Sequence, residues 1–101
     1  MIRALLLLFP ILLSIFSFAQ TATLKGVVTD GNTNETLIGV TVAVSDGLGT
    51  VTNLDGEYSL KVPPGSYAVV YRYVGYDNQS INITLAAGEV KVLDRKMRVN
   101  S

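Results

Sequence analysis

The chain has 101 residues, eight Lys or Arg balanced by eight Asp or Glu, and no His, Cys or Trp. Without His or Cys it cannot build a His-based zinc site, a Ser-His-Asp triad or a Cys-His nucleophile pair, and its charge balance argues against a nucleic-acid or polybasic membrane partner. The hydrophobic fraction of 49% overstates the globular part, because the first eighteen residues carry so much of it.

Met1-Ile2-Arg3 gives a short positive start, Ala4 to Phe18 is an almost unbroken apolar run, and Ser17 and Ala19 supply small residues ahead of Gln20. This is the pattern of a secretory signal peptide over residues 1–19, with cleavage expected between Ala19 and Gln20. The run is shorter than the roughly 20 apolar residues a membrane-spanning helix needs and contains Pro10. No second apolar stretch of spanning length follows, so no transmembrane helix is expected in the mature chain. The absence of Cys excludes a lipid-modified cysteine behind the signal.

What remains, residues 20–101, is expected to form one domain, with seven basic against eight acidic residues once Arg3 is gone. A core this small, with no disulfide to close it, is marginal. Docking onto a neighbouring domain or partner would strengthen it.

Ala22 to Thr29 is rich in β-favouring residues and leads into the turn formers Asp30-Gly31-Asn32-Thr33-Asn34, which predicts a strand and a loop. Val40, Val42 and Val44 alternate with Thr41, Ala43 and Ser45, the pattern of a half-buried strand. Asp46-Gly47 and Gly49 predict a turn. Thr50 to Leu54 then runs into Asp55-Gly56, beyond which Tyr58, Leu60 and Val62 alternate with polar residues. An Asp-Gly pair between two such runs predicts a hairpin.

Pro63-Pro64-Gly65 stops pairing. Tyr67 to Val74 is apolar almost throughout, with Tyr67, Val69, Tyr71 and Tyr73 on one face, and is expected to be a central strand. Gly75 to Asn78 turns the chain, Ile81, Ile83 and Leu85 mark another strand, Ala87-Gly88 another turn, and Glu89 to Met97 one last strand. About seven short strands with frequent turns, and no sustained helical period, predict an all-β two-sheet sandwich.

Five segments, G-V-V-T-D at 26–30, G-V-T-V at 39–42, T-N-L-D-G-E-Y-S-L at 52–60, P-P-G at 63–65 and Y-V-G-Y at 73–76, occur in that order. Together they resemble the carboxypeptidase regulatory-like domain, a transthyretin-like β-sandwich, over nearly all of residues 20–101. The variety with Asp-Gly and an aromatic, then P-P-G, then Y-x-G-Y is similar to the amino-terminal extension of TonB-dependent outer-membrane receptors of Bacteroidetes-type bacteria. The resemblance implies a non-catalytic periplasmic module ahead of a TonB box, plug and barrel. The chain is therefore expected to be either the amino-terminal piece of such a receptor, supporting transport, or a free-standing secreted or periplasmic binding module. Gly26, Gly39, Gly56, Gly65 and Gly75 are the diagnostic glycines, expected at turns and close strand approaches.

Asp30, Asp46, Asp55 and Asp77 all fall at turns beside Gly or Asn. Clustered loop carboxylates suit calcium, but Asp favours such turns for backbone reasons, and no D-x-D-x-D-G spacing is present. The five tyrosines suggest a sugar-stacking platform, but core and edge packing in a small sandwich lacking Trp explains most of them; carbohydrate is left as a ligand for the exposed ones alone. Asn34-Glu35-Thr36, Asn78-Gln79-Ser80 and Asn82-Ile83-Thr84 fit the glycosylation triplet, and in a chain this rich in Asn, Ser and Thr they carry little weight. No catalytic, cofactor or metal site is expected. The expected partners are envelope proteins, the receptor's plug and barrel or periplasmic machinery, met through an open sheet edge.

Overall fold

The computed structural model describes residues 20–100; the signal-peptide reading of residues 1–19 lies outside the described residues. Eight strand segments follow one another: β1 (Ala22–Asp30), β2 (Thr41–Val44), β3 (Leu48–Val51), β4 (Glu57–Val62), β5 (Gly65–Arg72), β6 (Gln79–Leu85), β7 (Val90–Val92) and β8 (Arg95–Met97). Sheet one has β1 at its centre, with β4 antiparallel on one side and β7 and β8 parallel on the other. Sheet two is antiparallel throughout, in the order β3-β2-β5-β6.

Alternation builds the core. Leu24 and Val28 point inward from β1, and Val42, Val69, Tyr71 and Leu85 point inward from sheet two, all but fully buried. Burying a Val or Leu side chain contributes about 1.5–3 kcal/mol, and β-branched residues suit the pleat. Val40, Val42 and Val44 are all buried, and β5 lies between β2 and β6 as the central strand its sequence predicts.

Asp55-Gly56 does not close a hairpin. Asn53 Oδ1 accepts the N–H groups of Asp55 and Glu57, both at 3.0 Å, and the Val28 N–H donates to the Gly56 carbonyl at 2.9 Å. The turn therefore docks on β1 and carries the chain from sheet two to sheet one, where β4 pairs with β1 rather than with β3. The Asp-Gly pair that does make a hairpin is Asp46-Gly47, with φ of 77° and 78°, inside a single 3-10 turn (Ser45–Gly47) joining β2 to β3.

Two further expectations are corrected. β5 ends at Arg72, and Val74, expected at the end of that strand, is 95% exposed in the following turn, where the Tyr76 N–H donates to the Tyr73 carbonyl. The single last strand from Glu89 to Met97 is two, β7 and β8. Both keep one register along β1, Lys25 opposite Val92 and Val28 opposite Arg95. The break between them at Leu93-Asp94 is where the two sheets are tied together.

Candidate interaction surfaces

Gly26 and Tyr58 sit directly opposite each other on β1 and β4. A Cβ at Gly26 would overlap the Leu93 carbonyl outright and would lie 3.1 Å from the Tyr58 ring. The missing side chain lets Leu93 turn its carbonyl inward, where the Tyr58 hydroxyl donates to it at 2.5 Å. The Tyr58 and Tyr71 hydroxyls lie 2.8 Å apart. Because the Tyr58 proton goes to Leu93, Tyr71 is the donor in that second bond. The rings meet edge to face, 5.8 Å between centroids, and the Arg95 guanidinium lies 5.9 Å from the Tyr71 centroid.

The seam is completed from outside. The Leu93 N–H donates to the Lys25 carbonyl at 2.7 Å, and Asp94 Oδ1 accepts the Val27 N–H at 2.9 Å, so a carboxylate stands where a strand carbonyl would be. Burial, then the bond with Tyr71, pushes the Tyr58 hydroxyl well above the ordinary tyrosine range, and burial also raises that of Tyr71. Both rings stay protonated and act as fixed donors.

A second network closes the carboxyl-terminal end of β1. Tyr76 donates its hydroxyl to Asp30 Oδ2 at 2.6 Å, and Asp30 Oδ1 accepts the N–H groups of Asn32 and Thr33 at 2.7 and 3.1 Å. The Tyr76 bond first, then those amides, hold the Asp30 carboxyl below its usual range, and the carboxylate in turn raises the Tyr76 hydroxyl. The turn that carries Tyr76 also grips the end of the chain. The Asp77 N–H donates to the Arg98 carbonyl at 2.9 Å and the Asn100 N–H to the Gly75 carbonyl at 2.8 Å.

The residues singled out from sequence are thus dispersed. Asp30 is committed to Tyr76, Asp46 lies in the β2–β3 turn, Asp55 in the turn before β4 and Asp77 after β5. Among the described residues no three His, Cys, Asp or Glu side chains gather into a metal-sized group. Tyr58, Tyr67 and Tyr71 are buried, while Tyr73 and Tyr76, half-buried, form a tilted pair 5.4 Å apart. Of the diagnostic glycines, Gly26 serves a close approach and Gly56 a turn whose Cβ would meet the Val28 carbonyl at 2.8 Å.

What remains for contact is the outer face and the edges. An open groove of about 640 Å³ crosses the outer face of sheet one, lined by Lys25, Val27, Val51, Ser59, Val92 and Asp94 among others. Three of the four sheet margins are blunted against strand addition in the ways natural sheets use. β4 carries Glu57 and Lys61 and runs into Pro63-Pro64, β3 has four residues, and β7 and β8 have three each with Lys91, Arg95 and Lys96. β6 is seven residues long and carries no charge. Among the described residues no helix is long and apolar enough to cross a membrane.

The carboxypeptidase regulatory-like (CarboxypepD_reg-like) domain matches residues 24–101. The chain belongs to that family. The TonB-dependent receptor SusC of Bacteroides thetaiotaomicron is 40% identical over 80 residues, 78% of this chain and 8% of that receptor. The CarboxypepD_reg-like chain spans less than a tenth of the length of the curated relatives it matches. Among solved structures, the Bacillus anthracis TIE protein superposes with a TM-score of 0.67 at 26% identity, over 79% of this chain and 17% of that one. The 5-hydroxyisourate hydrolase of Klebsiella pneumoniae superposes with a TM-score of 0.53 at 19% identity, over 79% of this chain and 99% of that one. That second likeness shows the transthyretin-like fold alone. By homology the CarboxypepD_reg-like domain here is a domain associated with TonB-dependent receptors.

Proposed function

We propose that this domain is a non-catalytic interaction module in the periplasm, the amino-terminal extension of a TonB-dependent outer-membrane receptor, where it supports transport by contact with the receptor's own plug or with periplasmic machinery. The observation that carries the reading is the 40% identity to a TonB-dependent receptor over 78% of the chain. The chemistry of the fold is consistent with it. The buried hydroxyls and the Asp30 carboxylate are consumed in bonds that hold strands and turns together, and the chain has no His or Cys to serve as base or nucleophile. Residues 1–19 would be removed as a signal peptide on export.

The test is to fractionate the native cells and probe with an antibody against residues 20–101. A band several times larger than this chain in the outer membrane is the expected result. A band the size of the chain in soluble periplasm or medium would overturn the receptor reading and leave a free-standing binding module.

A further inference from the structure

Sheet two ends on β6 (Gln79–Leu85), which pairs with β5 along its whole length and has no strand on its other side among the described residues. The direction of its free peptide groups follows from one bond. The Ala68 N–H donates to Ser45 Oγ at 3.3 Å, on the β2 side of β5. Peptide groups along an antiparallel strand face alternate sides, so Tyr67, Val69 and Tyr71 turn theirs toward β6 and engage Ile83, Ile81 and Gln79. That leaves the N–H and C=O groups of Ser80, Asn82 and Thr84 pointing away from the sheet. The side chains of these same three residues are exposed, polar and uncharged, while Ile83 and Leu85 face the core.

We propose that β6 is a self-pairing edge, through which two copies of this chain join their second sheets antiparallel about a two-fold axis at Asn82. Outward peptide groups must meet outward peptide groups, and the register centred on Asn82 is the one that uses all three. Ser80 meets the second copy's Thr84, Asn82 meets its own counterpart, and Thr84 meets Ser80. On the outer face hydroxyl lies opposite hydroxyl and amide opposite amide; on the core side Ile81 lies opposite Ile83. No charge opposes a like charge, and none selects a charged foreign strand. The other margins carry the Lys, Glu, Pro or short length that turn a strand away, which singles out β6. The inference stands apart from the receptor reading, because a copy-to-copy edge is compatible with a receptor extension and with a free module.

The contact is narrow and its association weak, so a covalent trap reads it best. The chain has no cysteine, and Asn82→Cys in the full chain places one thiol per copy at the axis. Bonded antiparallel pairs hold Cα atoms about 5.5 Å apart, inside the disulfide range. In an oxidising periplasm Asn82→Cys is expected to give a disulfide dimer on a non-reducing gel. Ser80→Cys alone is expected to give roughly tenfold less, because its counterpart lies four residues off along the strand. The pair Ser80→Cys with Thr84→Cys should restore the dimer. Sedimentation of the unaltered chain should show a mass that rises with its own concentration. Asn82→Lys, which faces like charges across the axis without touching the core, should abolish that rise and leave the melting temperature unchanged. Equal cross-linking at Asn82 and Ser80, a dimer that survives Asn82→Lys, or a mass that rises only when envelope protein is added would overturn self-pairing; the last would assign the edge to another protein's strand.

Discussion

The sheet built on β1 has side chains entering the backbone ladder on the β7 and β8 side of β1, whereas in the sheet built on β5 the ladder between β5 and β6 is unbroken. In sheet one the parallel partner of β1 is interrupted at Leu93-Asp94, and the interruption is filled by the Tyr58 hydroxyl from the neighbouring strand and by Asp94's own carboxylate. In sheet two β5 pairs with β6 from Gly65 opposite Leu85 to Tyr71 opposite Gln79 without a gap. An irregular seam depends on particular residues, because each bond has one donor in one place. A regular ladder depends on pattern, because any residue supplies its peptide groups. Substitutions should therefore be felt far more sharply in sheet one.

The strongest way to break that contrast is Gly26→Ala. The added methyl must displace the Leu93 backbone, and we expect a loss of about 3 kcal/mol or more in chemical denaturation. Gly47→Ala, in the sheet-two hairpin, meets nothing within 4 Å and has only its positive φ to overcome, which costs about 1–2 kcal/mol. Equal losses would refute the contrast.

Next comes Tyr58→Phe. It removes the donor to Leu93 and the acceptor for Tyr71, leaving the part-buried Leu93 carbonyl and the buried Tyr71 hydroxyl without that partner, and should cost about 1–3 kcal/mol. Tyr71→Phe leaves the Tyr58 to Leu93 bond intact and should cost less. Because the two hydroxyls share one chain of bonds, the double variant should fall short of the sum of the singles, which a double-mutant cycle measures.

Titration gives a smaller effect with a definite sign. Asp30 has a folded pKa below its ordinary 3.8, so its contribution is full above that value and is lost as pH falls through the folded pKa. Tyr58, Tyr71 and Tyr76 have folded pKa values above their ordinary 10.0, so their contribution is full below pH 10 and is lost as pH rises further. Melting temperature against pH should fall on both flanks, and Asp30→Asn should flatten the acid flank and remove the Tyr76 share of the alkaline flank, leaving the share of Tyr58 and Tyr71. An unchanged acid flank in that variant would show that the Asp30 network is not what titrates. The smallest expected effect is none at all: millimolar calcium should leave the melting temperature unmoved, and a rise of several degrees would mean that the turn aspartates bind it.

Much of this was legible in the chain. The Val40, Val42, Val44 alternation and the Tyr67, Val69, Tyr71 face both point where expected, because period-two burial is a local property. Asp46-Gly47 and Asp55-Gly56 look alike in sequence, yet one closes a hairpin and the other crosses between sheets. The difference lies in what the next strand buries and in the Asn53 side chain that bends the second turn onto β1. The open edge was illegible for the same reason. In sequence Ser80, Asn82 and Thr84 are alternate polar residues that also fall in glycosylation triplets, and which margin of which sheet they occupy depends on pairings made by residues elsewhere.

The amino-acid sequence by itself determined the β-sandwich class, the family, the burial face of the clearest strands, the turns and the exclusion of His- and Cys-dependent chemistry, because alternation, turn chemistry and composition act within a few residues. Tertiary structure alone decided that Leu93 would turn inward over Gly26 to meet Tyr58, that Asp30 would hold Tyr76 46 positions away, and that β6 would be left as the long uncharged margin. Each of these joins residues far apart in the chain, and their meeting is fixed by how the two sheets close on one core.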